Sequence, residues 1–146
     1  MVTAQRRADF YVLEGTSAGD RELLACRLVE KAWHQGYRVF VRAEDQAQAT
    51  RLDALLWTFR DGAFVPHAVV DSADEQDPVV IGAAEQTPGN AYDLMINLAP
   101  SEPEPAVGCN RLAEIADQSE RLLAPARSRF RQYRDLGMDL HYHRIG

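Results

Sequence analysis

The chain has 146 residues, 46% of them hydrophobic, and a formal net charge of −6. This is the size of one ordinary domain, residues 1–146, and its apolar content excludes a disordered chain. No run of about 18 apolar residues occurs, which excludes a membrane-spanning helix, and residues 1–7 carry no apolar stretch of the secretory type.

Residues 9–14, Asp-Phe-Tyr-Val-Leu-Glu, are rich in aromatic and β-branched side chains and predict a buried first strand. Residues 15–19 make a turn, and Asp20 is placed to cap a helix running to residue 35. Along it Leu23, Leu24, Leu28, Val29, Ala32 and Trp33 recur at the spacing of a helix face, with Cys26 on the same apolar side. Gly36 suits the position just past the helix end. Residues 38–43 predict a second strand, and the resulting β–α–β unit predicts a parallel pair. Glu44 and Asp45 favour the start of a second helix, with Ala47, Leu52, Leu55, Leu56 and Phe59 on its buried side. Pro66 makes residues 63–67 extended.

Residues 71–78, acidic and poor in apolar side chains, read as a surface loop. Residues 79–83 predict a strand, 85–90 a turn, and 92–98 a strand buried on both faces. Pro100, Pro103 and Pro105 mark a linking loop, and residues 111–116 fit either strand or helix. The last predicted helix lies within residues 118–136, with Leu122, Ala126, Phe130 and Tyr133 on one face and Gly137 as its stop. Pro125 costs about 3 kcal/mol in a helix interior, which moves the expected start to near Ala124. The alternation of strands and helices predicts an α/β domain of three layers with a mainly parallel sheet.

No cofactor motif follows the first strand. Glu14-Gly-Thr-Ser-Ala-Gly-Asp20 has two glycines and no Lys, so it is neither GxGxxG nor a phosphate loop. His141 and His143 fall in a polar tail without a third ligand nearby, and no metal is expected. Glu44 and Asp45 read as first-turn helix charges rather than a catalytic carboxylate pair. Cys26 and Cys109 form neither a CxxC pair nor a disulfide framework, have no local His partner, and predict a reducing, cytoplasmic setting. No nucleophile–base set assembles, so the chain reads as a binding module and not an enzyme.

Two features stand out. Trp57, Phe59, Phe64 and Val65 cluster at the end of a helix and in the loop after it, as either a partner surface or a local minicore. The second is charge. Fifteen of the sixteen basic residues are Arg, and residues 61–110 hold nine acidic residues and no basic one. Residues 121–134 hold five Arg and no acidic residue, which leaves the rest of the chain at −11. Arg127, Arg131 and Arg134 form a ladder, with Arg121 and Arg129 nearby and Leu123 and Phe130 beside them. This array is a receptor for an acidic peptide with an apolar anchor, or a solvated face paired with the acidic body. Overall acidity opposes direct nucleic-acid binding.

The sequence resembles the chi subunit of bacterial DNA polymerase III over most of its length. The resemblance is carried by Asp9-Phe-Tyr-Val-Leu13, Gly36-Tyr-Arg-Val39, Glu44-Asp45, Arg51-Leu-Asp53, Leu56-Trp57, Phe64-Val-Pro-His67, Pro78-Val-Val-Ile81 and Ala126-Arg-x-Arg-Phe-Arg-x-Tyr-Arg-x-x-Gly137. It implies a nucleotide-binding-like (Rossmann-like) fold, no cofactor, and a non-catalytic subunit that acts at bacterial replication forks. It further implies two partners. A psi subunit, or a psi-like or helicase-like protein, would bind at Trp57 and Phe64. The acidic C-terminal tail of single-stranded DNA-binding protein would bind at Arg127, Phe130, Arg131 and Arg134, with Ala116 and Leu123 at the rim. Leu123 stands where relatives carry a basic residue, and Phe130 where they carry a Tyr. Contact with DNA would be indirect. The competing expectations are a small α/β nucleotide-binding enzyme and a direct binder of single-stranded DNA.

Overall fold

The computed structural model describes residues 6–62, 64–73, 76–86, 92–103 and 109–146. Its elements are β1 (Arg7–Leu13), α1 (Ala18–His34), β2 (Val39–Ala43), α2 (Gln46–Thr58), β3 (His67–Val69), a 3-10 turn (Val70–Ser72), β4 (Val79–Ala83), β5 (Leu94–Asn97), β6 (Arg111–Ala116), α3 (Glu120–Asp135) and β7 (Asp139–Ile145). The strands form one seven-stranded sheet in the order β3-β4-β2-β5-β6-β1-β7. Every pairing in it is parallel.

The period-two alternation of the central strands divides the core into two layers. Val39, Val41 and Ala43 of β2 face α1 and α2, which cover them with Ala25, Cys26, Val29, Ala49, Leu52 and Leu56. Phe40 of β2 and Phe10 of β1 face the other side, where α3 packs Leu122, Ala126 and Tyr133. The sheet is thus sandwiched between helices, the arrangement that parallel strands require. Gly82 of β4 is fixed by this packing. A Cβ there would lie 2.6 Å from Val70 Cγ2 and 3.2 Å from the Phe40 ring.

Several expectations are corrected. β1 and β2 run parallel but do not pair, because β5 and β6 lie between them. The 17 residues of α1 span about 25 Å, enough to step across strands spaced about 4.8 Å apart. The cap of α1 is Ser17, whose side chain accepts the Asp20 N–H, and not Asp20 itself. Gly36, at φ +85°, does close that helix. Asp45 caps α2 by accepting the Gln48 N–H at 2.8 Å, while Ala47 is exposed and Gln48 and Ala49 take the buried side. Residues 111–116 are a strand.

α3 starts at Glu120, ahead of the expected start near Ala124, and holds Pro125 inside it. Tertiary anchoring explains the difference. Asp117 accepts the Ser119 N–H at 2.8 Å and Arg21 Nε of α1 at 2.9 Å, which fixes the first turn before the proline is reached. The segment expected as a polar tail is β7, an edge strand paired to β1 over its full length. Residues 87–91 and 104–108, which hold most of the expected 85–90 turn and Pro105, lie outside the described residues, as do residue 63 and two positions of the 71–78 loop.

Candidate functional site

α3 is set in rotation by a buried carboxylate beneath it. Glu114 of β6 pairs with Arg129 at 3.0 Å and accepts the Tyr133 hydroxyl at 2.8 Å. Burial and the neighbouring Glu114 charge push the Tyr133 phenol far above its ordinary range, so it stays a donor. The same carboxylate accepts the Asn97 amide at 2.8 Å, and Asn97 in turn accepts Arg42 at 3.0 Å. Removing one partner of such a buried pair costs about 3–5 kcal/mol. This network lies near the C-terminal ends of β2 and β5.

With Arg129 drawn inward, residues two positions away turn outward, because i and i+2 do not share a helix face. Arg129 is therefore not part of the basic rim. Arg121 leaves it too, since it pairs with Glu44 at the start of α2. The remaining face of α3 borders a cavity of about 380 Å³. Its floor is Phe10, Val12 and Ala126, and Phe130 packs edge-on against Phe10 with ring centroids 5.2 Å apart. Leu123, Arg127 and Arg131 complete the α3 wall.

The expected site residues separate on this geometry. Leu123, Arg127, Phe130 and Arg131 come together. Arg134 shares their helix face but lies outside the cavity lining, exposed beside Asp135 at 3.5 Å. Ala116 is buried in the core under α3 and does not reach the rim. The opposite wall was not anticipated. Gln118 and the β7 residues Tyr142 and Arg144 line it. The signal available in sequence was the alternation of Leu140 and Tyr142 with polar residues, which is weak in a half-exposed edge strand.

β7 is held by its other face. Asp9 of β1 accepts His143 Nε2 at 2.8 Å and the Arg7 guanidinium at 3.0 and 3.1 Å, and the Tyr11 and His143 rings stack at 4.6 Å. Burial alone would raise the Asp9 carboxyl. The hydrogen bonds from Arg7 and His143, with the charge of Arg111, outweigh it and hold the group below the usual carboxylate range. The two histidines read as tail residues are thus occupied, His143 by Asp9 and His141 by Asp139 at 3.0 Å.

The second expected surface lies at the opposite sheet edge. Trp57 and Phe64 are 49% and 67% exposed and meet edge-on with centroids 5.7 Å apart. Their neighbours Val65 and Phe59 turn inward, Val65 fully, so the cluster is half core and half surface. His67 supports the Trp57 ring at 4.6 Å. Its own ring is fixed at the Val65 and Asp53 carbonyls, 2.7 and 3.0 Å away. Burial pushes the Cys26 thiol up to about 12 and the Cys109 thiol up to about 11, which leaves both inert as nucleophiles at neutral pH.

The fold is that of a parallel α/β protein of the Rossmann-like kind, with an arginine-rimmed cavity at one sheet edge and an exposed aromatic pair at the other. The sequence matches the family described as DNA polymerase III chi subunit, HolC, over residues 6–141, and the chain belongs to that family. It is 41% identical over 139 residues to DNA polymerase III subunit chi of Pseudomonas aeruginosa, covering 95% of this chain and 96% of that one. The chi subunit of Escherichia coli is 29% identical over 141 residues, with 93% and 96% covered. The fold is also similar to a crystal structure of T4 UvsW (TM-score 0.63, 9% identity), covering 96% of this chain and 41% of that chain. The chain is accordingly a replication accessory subunit of DNA polymerase III and not a catalytic one. No helix among the described residues is long and apolar enough to cross a membrane.

Proposed function

We propose that the chain tethers the clamp loader to the protein that coats single-stranded DNA. The cavity beside α3 takes the acidic C-terminal tail of single-stranded DNA-binding protein. The Trp57–Phe64 patch takes a psi subunit or a psi-like, helicase-like partner. The observation that carries this reading is a cavity with an apolar floor, rimmed by Arg127 and Arg131, on a chain that is otherwise acidic. Arg127 takes the terminal carboxylate, the apolar end packs on Phe130 and Leu123, and Arg131 draws in the preceding aspartates. Guanidinium forks suit carboxylates, and the long-range attraction speeds encounter. DNA is reached through the coating protein, since a body at −11 outside the 121–134 segment repels phosphates.

A pull-down from native lysate, with the chain as bait and a synthetic tail peptide as competitor, tests this. The peptide should release single-stranded DNA-binding protein and leave the second partner bound. Release of both by peptide, or retention of both, overturns the two-site reading. Tight, steeply salt-dependent binding to a bare oligonucleotide would favour the direct DNA binder instead.

A further inference from the structure

β7 presents its even-numbered side chains to the α3 side of the sheet. Leu140 lies opposite Ala8 and packs into the core there, Tyr142 lies opposite Phe10, and Arg144 opposite Val12. Tyr142 and Arg144 therefore face Phe130, Arg131 and Arg127 across the cavity. The cavity is about 380 Å³, near the lower limit of ligand pockets, so it holds an apolar end group and not a whole acidic segment. The upstream acidic residues must leave it in one of two directions.

One exit runs along α3 towards Arg134. That end carries exposed Asp135, 3.5 Å from Arg134, and exposed Asp139 at the start of β7. An acidic segment meets like charges there. The other exit passes Tyr142 and Arg144. Arg144 pairs with Glu14 at 3.2 Å, with both side chains largely exposed. Such a pair is worth about 0–1 kcal/mol, so an incoming carboxylate replaces Glu14 at little cost. β7 is also the end of the sheet among the described residues, and no further strand flanks this exit.

We propose that β7 is a second recognition wall, on which Tyr142 and Arg144 grip the acidic residues upstream of the apolar end, with Glu14 as a placeholder for the ligand's carboxylate. This deepens the tail-binding reading above and rests on it. The site then reads the length and charge of the peptide, and Arg144 contacts the upstream acidic residues in place of Arg134.

The test uses the full chain and two probes. One is an aspartate-rich peptide of about nine residues, ending in phenylalanine with a free carboxylate, about 30 Å when extended. The other is its C-terminal tripeptide. In a fluorescence titration, Arg144→Ala should weaken the long peptide about three- to fivefold and leave the tripeptide unchanged. Arg134→Ala should change neither. Tyr142→Ala should follow Arg144→Ala with a smaller loss. The proposal is overturned if Arg134→Ala weakens the long peptide while Arg144→Ala does not, or if Arg144→Ala weakens both probes equally. Arg127→Ala separates this from failure of the underlying reading. If it alters neither probe, the cavity is not the tail site at all. Arg144, Arg134 and Tyr142 are exposed, so none of these variants threatens the fold.

Discussion

The two edges of the sheet carry opposite kinds of surface. At the β7 edge a cavity with an apolar floor is ringed by arginines. At the β3 edge two large aromatic rings lie exposed, supported by the covered ring of His67. Each is built on a rigid base. Glu114 fixes α3 through Arg129 and Tyr133, and His67 fixes the loop after α2 through two backbone carbonyls. Under the two-site function proposed above, the contrast implies partners that differ in chemistry as well as in place. The first surface would then discriminate by charge and an end group, and the second by aromatic area, which dominates hot spots at interfaces.

The largest effect that tests this contrast is expected at Arg127. Arg127→Ala removes a guanidinium from the α3 wall of the cavity and should weaken tail-peptide binding by more than about tenfold, on the scale of a lost charge-assisted contact. Its loss should be steepest at low salt, where unscreened attraction adds most. The thermal midpoint should not move, because the side chain is exposed. Equal affinity of variant and parent would remove the site from this helix.

At the other edge, Trp57→Ala should release the second partner about as strongly and leave the tail peptide unaffected. The checks are co-purification for the partner and fluorescence titration for the peptide. If Trp57→Ala lowers both affinities and the melting temperature together, the aromatic pair is a minicore and the contrast between the edges collapses. Phe64→Ala is the milder companion, since Phe64 is the more exposed of the two.

How much of this was legible in sequence follows from the physics of each element. The α3 ladder came from local periodicity, which fixes what shares a helix face, and the aromatic patch from large apolar side chains gathered in a loop. The reason Arg129 leaves that ladder is a carboxylate on another element, and no spacing within α3 reveals it. β6 was ambiguous because its inward Glu114 breaks the apolar alternation that marks a strand. β7 was missed because it is a half-exposed edge strand whose partner, β1, lies far away in the sequence. Ser17 and Asp20 both suit a helix cap, and only the observed bond decides between them. The sheet order was invisible for the same reason as β7, since it depends on contacts between distant segments.

The smallest expected effect probes how β7 couples to the cavity. Asp9 clasps His143 and Arg7 on one face of the strand, while Tyr142 and Arg144 line the cavity on the other. Its carboxyl lies below the usual range when folded, so its contribution is complete above the unfolded value near 4 and is lost as pH falls through the lower folded value. Amide protection in β7 should therefore drop below about pH 4 ahead of protection in β2 and β4. Asp9→Asn should abolish that pH step and cost about 1–2 kcal/mol at neutral pH, because Arg7 and His143 are partly solvated and keep water as a partner. Loosening β7 should weaken the long tail peptide about twofold and leave the Trp57 partner untouched. Equal loss at both surfaces would show that Asp9 supports the whole sheet and not the one edge.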